Sequence, residues 1–268
     1  MLLLLSPSKA LDFETPTPPG LKPTKPRHGE ASAALLRLMQ AASRADLKRL
    51  MDISDALAEL NFARYQAFAA AAEKPAALAF DGDVYTGLDA PSLSPDDLAA
   101  AQERLRILSG FYGLLRPLDA IKPYRLEMGV KLANPRGEDL YAFWGDRLAR
   151  QLDADLKRHP AKVIVNLASD EYASAVDRKA LKAAVVTPVF KELKDGKARA
   201  LFMYLKRARG AMARWAIQNR IDAPEALKEF AADGYRFDPK LSSDEEWVFA
   251  RPQPQPAKPA KKKAPASA

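Results

Sequence analysis

Two runs, "KVIVNLA" at residues 162–168 and "AAVVTPVF" at residues 183–190, decide the fold class. Each is short, apolar and rich in β-branched side chains, which suits a strand inside a sheet, and the stretch between them reads as helix or turn. Strands interleaved with helices predict a mixed α/β (α+β) domain. Working outward, the opening "MLLLL" reads as another buried strand. No cation precedes it and its apolar run stops at "SPSK", too short for a membrane span or secretion signal. A cytoplasmic protein beginning on a buried strand is the expectation. "YRFDPKLSSDEEWVFAR" (235–251) reads as a terminal hairpin, and "AALAFDGDVYTGL" (76–88) as a buried strand entering a loop bracketed by Gly82 and Gly87.

Residues 14–30 are rich in proline and predict an extended loop, followed by a broken helical run from about Ser32 to Ala72. "SLSPDDLAAAQERLRILSG" predicts a capped helix. Ser94 serves as N-cap, Pro95 suits the first turn and Asp96 and Asp97 complement the dipole. Leu98, Ala101, Leu105 and Leu108 share a face, and Gly110 offers the left-handed stop. No repeat of solenoid period is present. A single compact domain over residues 1–250 is expected, with 251–268, "RPQPQPAKPAKKKAPASA", as a disordered basic tail too poor in apolar residues to order itself.

With 268 residues, 48% of them hydrophobic, the chain can bury a large core. It has no cysteine, which excludes disulfides, thiolate metal sites, cysteine nucleophiles and peroxide-reactive thiols together. The two histidines, His28 and His159, sit in loops flanked by proline or charge, so neither a metal centre nor a cofactor is expected. The formal net charge is +8, and it is unevenly placed. The tail carries Arg251, Lys258, Lys261, Lys262 and Lys263 without an acid. Residues 191–220 set Lys191, Lys194, Lys197, Arg199, Lys206, Arg207, Arg209, Arg214 and Arg220 against only Glu192 and Asp195. Charge concentrated this way points to a local anionic partner.

Three constellations give that partner a form. "LSGFYGLLRPLDAIKPYR" (108–125) places Gly110 and Gly113 between a helix end and a second element, then adds Arg116, Lys122 and Arg125. This is the outline of a helix-hairpin-helix, whose glycines let backbone N–H groups approach a phosphate while cations add attraction; Pro117 and Pro123 depart from it. "LFMYLKRARGAMARWAIQNR" predicts a basic amphipathic helix with Leu201, Leu205, Ala208, Met212 and Trp215 on the core side. Lys206, Arg207, Arg209, Arg214 and Arg220 then occupy the outer arc. Tyr112 and Tyr124, with Trp144, Tyr172 and Trp215, are candidate faces for stacking unpaired bases. Two enzymatic patterns also arise. "SPSK" fits S-x-x-K through Ser6 and Lys9, and Asp81, Asp83, Asp170 and Glu171 are carboxylates able in principle to hold Mg²⁺. Contact of Lys9 with a phosphate at a strand end fits the chain better than acyl chemistry, which lacks companion motifs.

The blocks "LSPSKALDF" (5–13), "MDISDALAELNFARYQAF" (51–68), "FDGDVYTGL" (80–88), "LRILSGFYGLLRPLDAIKPYRLEMG" (105–129), "LYAFWGD" (140–146), "VIVNLASDEY" (163–172) and "KRARGAMARW" (206–215) resemble the YaaA peroxide-stress protein family. The resemblance implies one α/β domain with a basic cleft, a helix-hairpin-helix-like element and DNA binding, in a protein that limits peroxide damage and is associated with lowering free intracellular iron. Carried over, the hairpin is Gly110 to Gly113, and the cleft is Lys9, Arg116, Arg125, Lys206, Arg207 and Arg209. Lacking cysteine, the chain is not expected to destroy peroxide itself. The combined expectation is a cytoplasmic monomer that binds DNA, duplex or distorted and single-stranded, with little sequence preference. The alternative is an enzyme acting on a nucleotide or nucleic acid, using Lys9, Asp83, Asn166, Ser169 or Glu171. A third possibility is that tail and helix bind RNA or acidic partners nonspecifically.

Overall fold

The computed structural model describes residues 1–195 and 197–254. Strand β1 (Leu2–Leu5) is buried along its whole length and lies between two parallel neighbours, β5 (Leu105–Ser109) and β8 (Val163–Leu167). Leu3 faces Leu105 on one side and Val165 on the other. A strand in this position is covered on both faces, which is why its residues are uniformly apolar rather than alternating. Beyond β8 the sheet continues in parallel through β9 (Ala184–Lys194) and β12 (Glu246–Pro252). Two antiparallel strands, β11 (Arg236–Phe237) beside β12 and β6 (Gly113–Leu115) beside β5, close its edges. The order is β11-β12-β9-β8-β1-β5-β6, and β10 (Lys197–Arg199) pairs back onto β9. Two short ribbons lie outside this sheet, β2 (Ala10–Leu11) with β4 (Phe80–Asp81), and β3 (Lys74–Pro75) with β7 (Ala120–Ile121). The strands at 162–168 and 183–190, the opening strand and the 235–251 hairpin are where the sequence predicts them.

From β1 the chain first builds toward β5 on one side and later returns to place β8 on the other. In open parallel sheets a crevice forms at such a reversal, outside the carboxyl ends of the strands. Here that edge carries the residues just after Leu5, Ser109 and Leu167.

The helical run resolves into α1 (Gly29–Ala41), α2 (Arg44–Met51) and α3 (Asp55–Gln66). Ser43 and Asp46 form a reciprocal capping box on α2, and Ser54 caps α3. Residues 76–88 are not a strand leading to a loop. They form α4 (Ala76–Ala79), the two residues of β4 and α5 (Asp83–Leu88). Helix α6 (Pro95–Arg104) has the predicted Ser94 cap but stops at Arg104, and Leu105 passes directly into β5. Consequently "LSGFYGLL" is a strand, a tight turn and a strand: Ile107 faces Leu115, Leu108 faces Leu114 and Ser109 faces Gly113. A β-hairpin thus stands where a helix-hairpin-helix was expected. The turn is locked from within. The Trp144 indole N–H donates to the Gly110 carbonyl at 3.0 Å, and a Cβ on Gly113, at φ +74°, would lie 2.6 Å from the same ring.

Trp144 belongs to α7 (Leu140–Trp144), which leads into α8 (Arg147–Leu156); α9 (Asp170–Ala173) follows β8. Helix α10 (Phe202–Gln218) lies in the stretch predicted as a basic amphipathic helix. It crosses α5 at backbone contact: a Cβ on Gly210 would fall 1.8 Å from the Val84 carbonyl oxygen, and one on Gly87 2.1 Å from that of Arg207. Strand β12 runs to Pro252, so Arg251 belongs to the folded domain rather than to the tail. Its guanidinium lies over the rings of Tyr204 and Tyr235 and 3.4 Å from buried Glu192. The tail expectation for residues 255–268 lies outside the described residues.

Candidate nucleic-acid interface

Several of the expected phosphate-binding cations are committed to the fold. Arg116 follows β6, which runs antiparallel to β5, so it emerges at the edge where the parallel strands begin, opposite the crevice. Its guanidinium binds Asp119 at 2.7 Å and the Lys25 carbonyl. Lys122 donates to the carbonyls of Phe68 and Ala69, and Arg214 to those of Leu88 and Asp89 at the end of α5. Gly110 and Gly113 are buried beneath Trp144 and the 126–127 backbone, leaving no approach for a phosphate. The stacking candidates fail for the same reason. Tyr112 and Tyr124 are core residues, the first accepting from the Lys122 N–H and the second bonded to Ser109 Oγ, while Trp144 and Tyr172 are buried and Trp215 packs on Phe230.

At the carboxyl edge other predicted residues do meet. Ser6 Oγ accepts from the Ser169 N–H at 2.8 Å and lies 3.2 Å from Ser169 Oγ, tying the ends of β1 and β8; Tyr85 donates to the Ser6 carbonyl. Lys9 and Arg125 converge on one carboxylate oxygen of Glu127, at 3.2 and 2.8 Å. The other oxygen of Glu127 and Nε of Arg125 are buried without a hydrogen-bond partner among the described residues. Glu171 accepts from the Gly129 N–H across a groove of 980 Å³ that Lys9, Arg49 and Lys131 also line. Ser6 and Lys9 are engaged by different partners, so the S-x-x-K pair is not assembled as nucleophile and base. Asn166 accepts from the Ala168 N–H and so shapes the strand end. Among the described residues no group of three or more His, Asp or Glu side chains is placed to hold a metal ion. Burial raises the phenols of Tyr85, Tyr124 and Tyr172, so all three stay neutral hydrogen-bonding groups at physiological pH.

The remaining cations gather beside this crevice on one arm. β9 pairs with β8 only as far as Val186, then runs on past the carboxyl edge with β10 folded against it. The base of the arm is anchored by Glu192, which accepts from Tyr235 and from the Leu201 N–H as well as pairing with Arg251. Its outer part exposes Lys194, Lys197 and Arg199, and the first turns of α10 add Lys206 and Arg207. Of these five, only Arg207 has an acid within 4 Å among the described residues, Asp233 at 3.9 Å. Arg209 is half-buried, its Nε without a partner, and burial lowers its guanidinium pKa against the pull of nearby Asp170. Arg207 and Gly210 touch α5, and Gly82 at the start of α5 abuts Ser8. Lys194, Lys197 and Arg199 are counted in the basic segment by the sequence, but nothing local marks them as the exposed tip. Glu127 has a sequence signal, an acid two residues from Arg125.

The family model for the peroxide stress protein YaaA matches residues 1–241. A UPF0246 protein of Burkholderia mallei (strain SAVP1) is 52% identical over 257 residues, covering 94% of this chain and 98% of its own length. A UPF0246 protein of Ralstonia pickettii (strain 12J) is 54% identical over 255 residues, covering 94% and 99%. Matches of this extent and identity leave one assignment: the chain belongs to the YaaA peroxide stress protein family.

Proposed function

We propose that the chain serves the response to hydrogen peroxide by holding the phosphate backbone of DNA, with little sequence preference, along the carboxyl edge of its sheet. The observation that carries this reading is the contrast in charge pairing. Arg116 and Arg125 are each neutralised by a carboxylate, whereas Lys194, Lys197, Arg199 and Lys206 face solvent without an acid within 4 Å among the described residues. Lys194 and Lys197 are moreover direct cross-strand partners, a like-charge pair that costs stability unless an anion lies against it. Arg209, beside Asp170 just after β8, and the exposed Lys9, which shares Glu127 with Arg125, add positive charge at the crevice itself. In this reading the protein acts as a monomer in the cytoplasm. Among the described residues no helix is long and apolar enough to cross a membrane. Protection of DNA is then by occupancy, and the proposal assigns the chain no iron site of its own.

The test is the salt dependence of duplex binding. Each phosphate contact contributes about 0.9 to the slope of log K against log salt. Replacing Lys197, Arg199, Lys206 and Arg207 together by Gln should therefore lower that slope by about 3 to 4, while Arg116→Gln leaves it unchanged. An unaltered slope in the quadruple variant refutes the assignment. A second reading, an enzyme acting on a nucleotide or nucleic acid, is supported by one observation: Lys9, Glu127 and Glu171 meet at the sheet's reversal point, where α/β folds place ligands. Turnover of a labelled nucleotide or oligonucleotide that Lys9→Ala abolishes would establish it.

A further inference from the structure

The arm carries more than charge. Phe202 is 80% exposed and Met203 63%, side by side at the start of α10, and Leu193, 40% exposed, stands on the adjoining strand. Most large apolar side chains of the described chain are covered; Leu57, Leu60 and Leu241 are exposed elsewhere, but Phe202 and Met203 are exposed furthest of all. The backbone beneath them is held in place. Glu192 fixes the strand through Arg251 and Tyr235, and it accepts from the N–H of Leu201, the residue before Phe202. The junction of arm and helix therefore presents two apolar side chains on an anchored base, with exposed Lys194, Lys197 and Arg199 before them in the chain and Lys206 and Arg207 after them.

An apolar partner would meet five cations, of which only Arg207 has an acid within 4 Å among the described residues, at a desolvation cost. A polyanion alone would leave Phe202 and Met203 in water. DNA satisfies both demands, since its phosphates flank an apolar stack of bases, and proteins that open a base step do so with side chains of this kind. Resting on the DNA-binding reading above, we propose that Phe202 and Met203 form a wedge that enters the stack at a weakened base step while the surrounding Lys and Arg grip the phosphates on either side. Pyrimidine–purine steps and mismatches, which unstack most readily, are the expected sites.

The experiment uses the full chain and a duplex of about 30 base pairs, long enough to span an arm and its flanking cations. It carries 2-aminopurine beside a central mismatch, with a fully paired duplex as comparison. Binding is followed by anisotropy across a salt series and unstacking by 2-aminopurine fluorescence. The wild-type chain should raise the fluorescence about two-fold or more as the step opens, chiefly at the mismatch. Phe202→Ala with Met203→Ala should abolish that rise yet keep the salt slope, because every phosphate contact remains. Phe202→Leu should restore part of it. Both side chains are exposed, so the double variant should melt at the wild-type temperature, which separates loss of the wedge from loss of fold. A wild-type chain that binds with the expected salt slope but leaves the fluorescence flat overturns the wedge alone, as does a double variant that unstacks like wild type. Absence of any salt-sensitive binding overturns the DNA reading itself. Binding to phosphatidylglycerol vesicles that depends on Phe202, in a chain that leaves the mismatch stacked, overturns the wedge in favour of a lipid surface.

Discussion

Replacing Glu127 by Ala isolates the ion-pair cluster at the carboxyl edge. Its carboxylate accepts from Arg125 at 2.8 Å and from Lys9 at 3.2 Å, and the Arg125 side chain is only 16% exposed against 65% for Lys9. Removing one member of a buried pair leaves the other charge uncompensated, at a cost of about 3–5 kcal/mol. The Lys9 arm, exposed and screened, adds at most about 1 kcal/mol. One oxygen of Glu127 is already buried without a partner, so part of its desolvation cost is recovered on removal. The lower end, about 3 kcal/mol, is therefore expected. In a domain of this size each kcal/mol moves Tm by about 2–4 °C, which gives a fall of about 6–12 °C. Glu127→Gln keeps an acceptor for Arg125 and should cost roughly half as much. Scanning calorimetry at neutral pH measures both. An Arg125→Met background provides the cycle: with the buried cation gone, Glu127→Ala should lose most of its effect. A Tm for Glu127→Ala within about 2 °C of wild type would refute the claim that this carboxylate neutralises a buried guanidinium.

Gly210→Ala should destabilise by about 3 kcal/mol or more, beyond ordinary overpacking, because the new methyl would meet the Val84 backbone at 1.8 Å; the helix-propensity gain of about 1 kcal/mol cannot offset it. Gly29→Ala, with nothing within 4 Å of its Cβ position, is the matched control in urea unfolding and should be neutral. His28 gives a pH dependence. Burial, with Arg147 and Arg27 nearby, lowers its pKa, and its ring packs edge-on against Trp144 with Nε2 unpartnered. A histidine lowered on folding takes up its proton more readily when unfolded. Its contribution is thus complete above about pH 6.5, the unfolded value, and is lost as pH falls from there toward the folded value. Tm should drop between pH 7.5 and 5.5, and His28→Phe should flatten that drop in part, His159 being lowered by burial as well; an unchanged profile in the variant refutes the assignment.

The parts of the fold legible in the sequence are those whose burial leaves a one-dimensional trace. "LLLL" and nearly all of "VIVNL" are buried at consecutive positions because central parallel strands under helices have no wet face, whereas "AVVTPVF", buried only at Pro188 and Phe190, is legible through its β-branched residues. "LRILSGFYGLL" defeats the same reasoning, since Leu98, Ala101, Leu105 and Leu108 continue a helical period across a boundary that only pairing with β1 sets. The site divides in a similar way. That Arg116 is bound to Asp119 is a three-residue matter visible locally, whereas Lys122 is consumed by carbonyls 53 and 54 residues away and Tyr112 and Tyr124 by the core beneath the hairpin. A run of cations in sequence states how much charge a segment holds, and tertiary pairing decides how much of it remains for a partner.

That remainder depends on two features remote from the cations themselves. Gly87 and Gly210 let α5 and α10 touch backbone to backbone, which seats the Arg207 backbone against the last turn of α5. Glu192, buried under Arg251 and Tyr235, absorbs the acid in the middle of a basic segment and fixes the strand that carries Lys194 outward. Had Glu192 been exposed beside Lys194 and Arg199 it would have neutralised the arm it now supports. Glu192→Gln should accordingly loosen the arm, weakening DNA binding without adding positive charge at the surface, whereas Asp195→Asn, which removes the exposed acid at the turn, should strengthen binding. If Glu192→Gln strengthens binding instead, Glu192 acts on DNA as a surface charge and the anchoring argument fails.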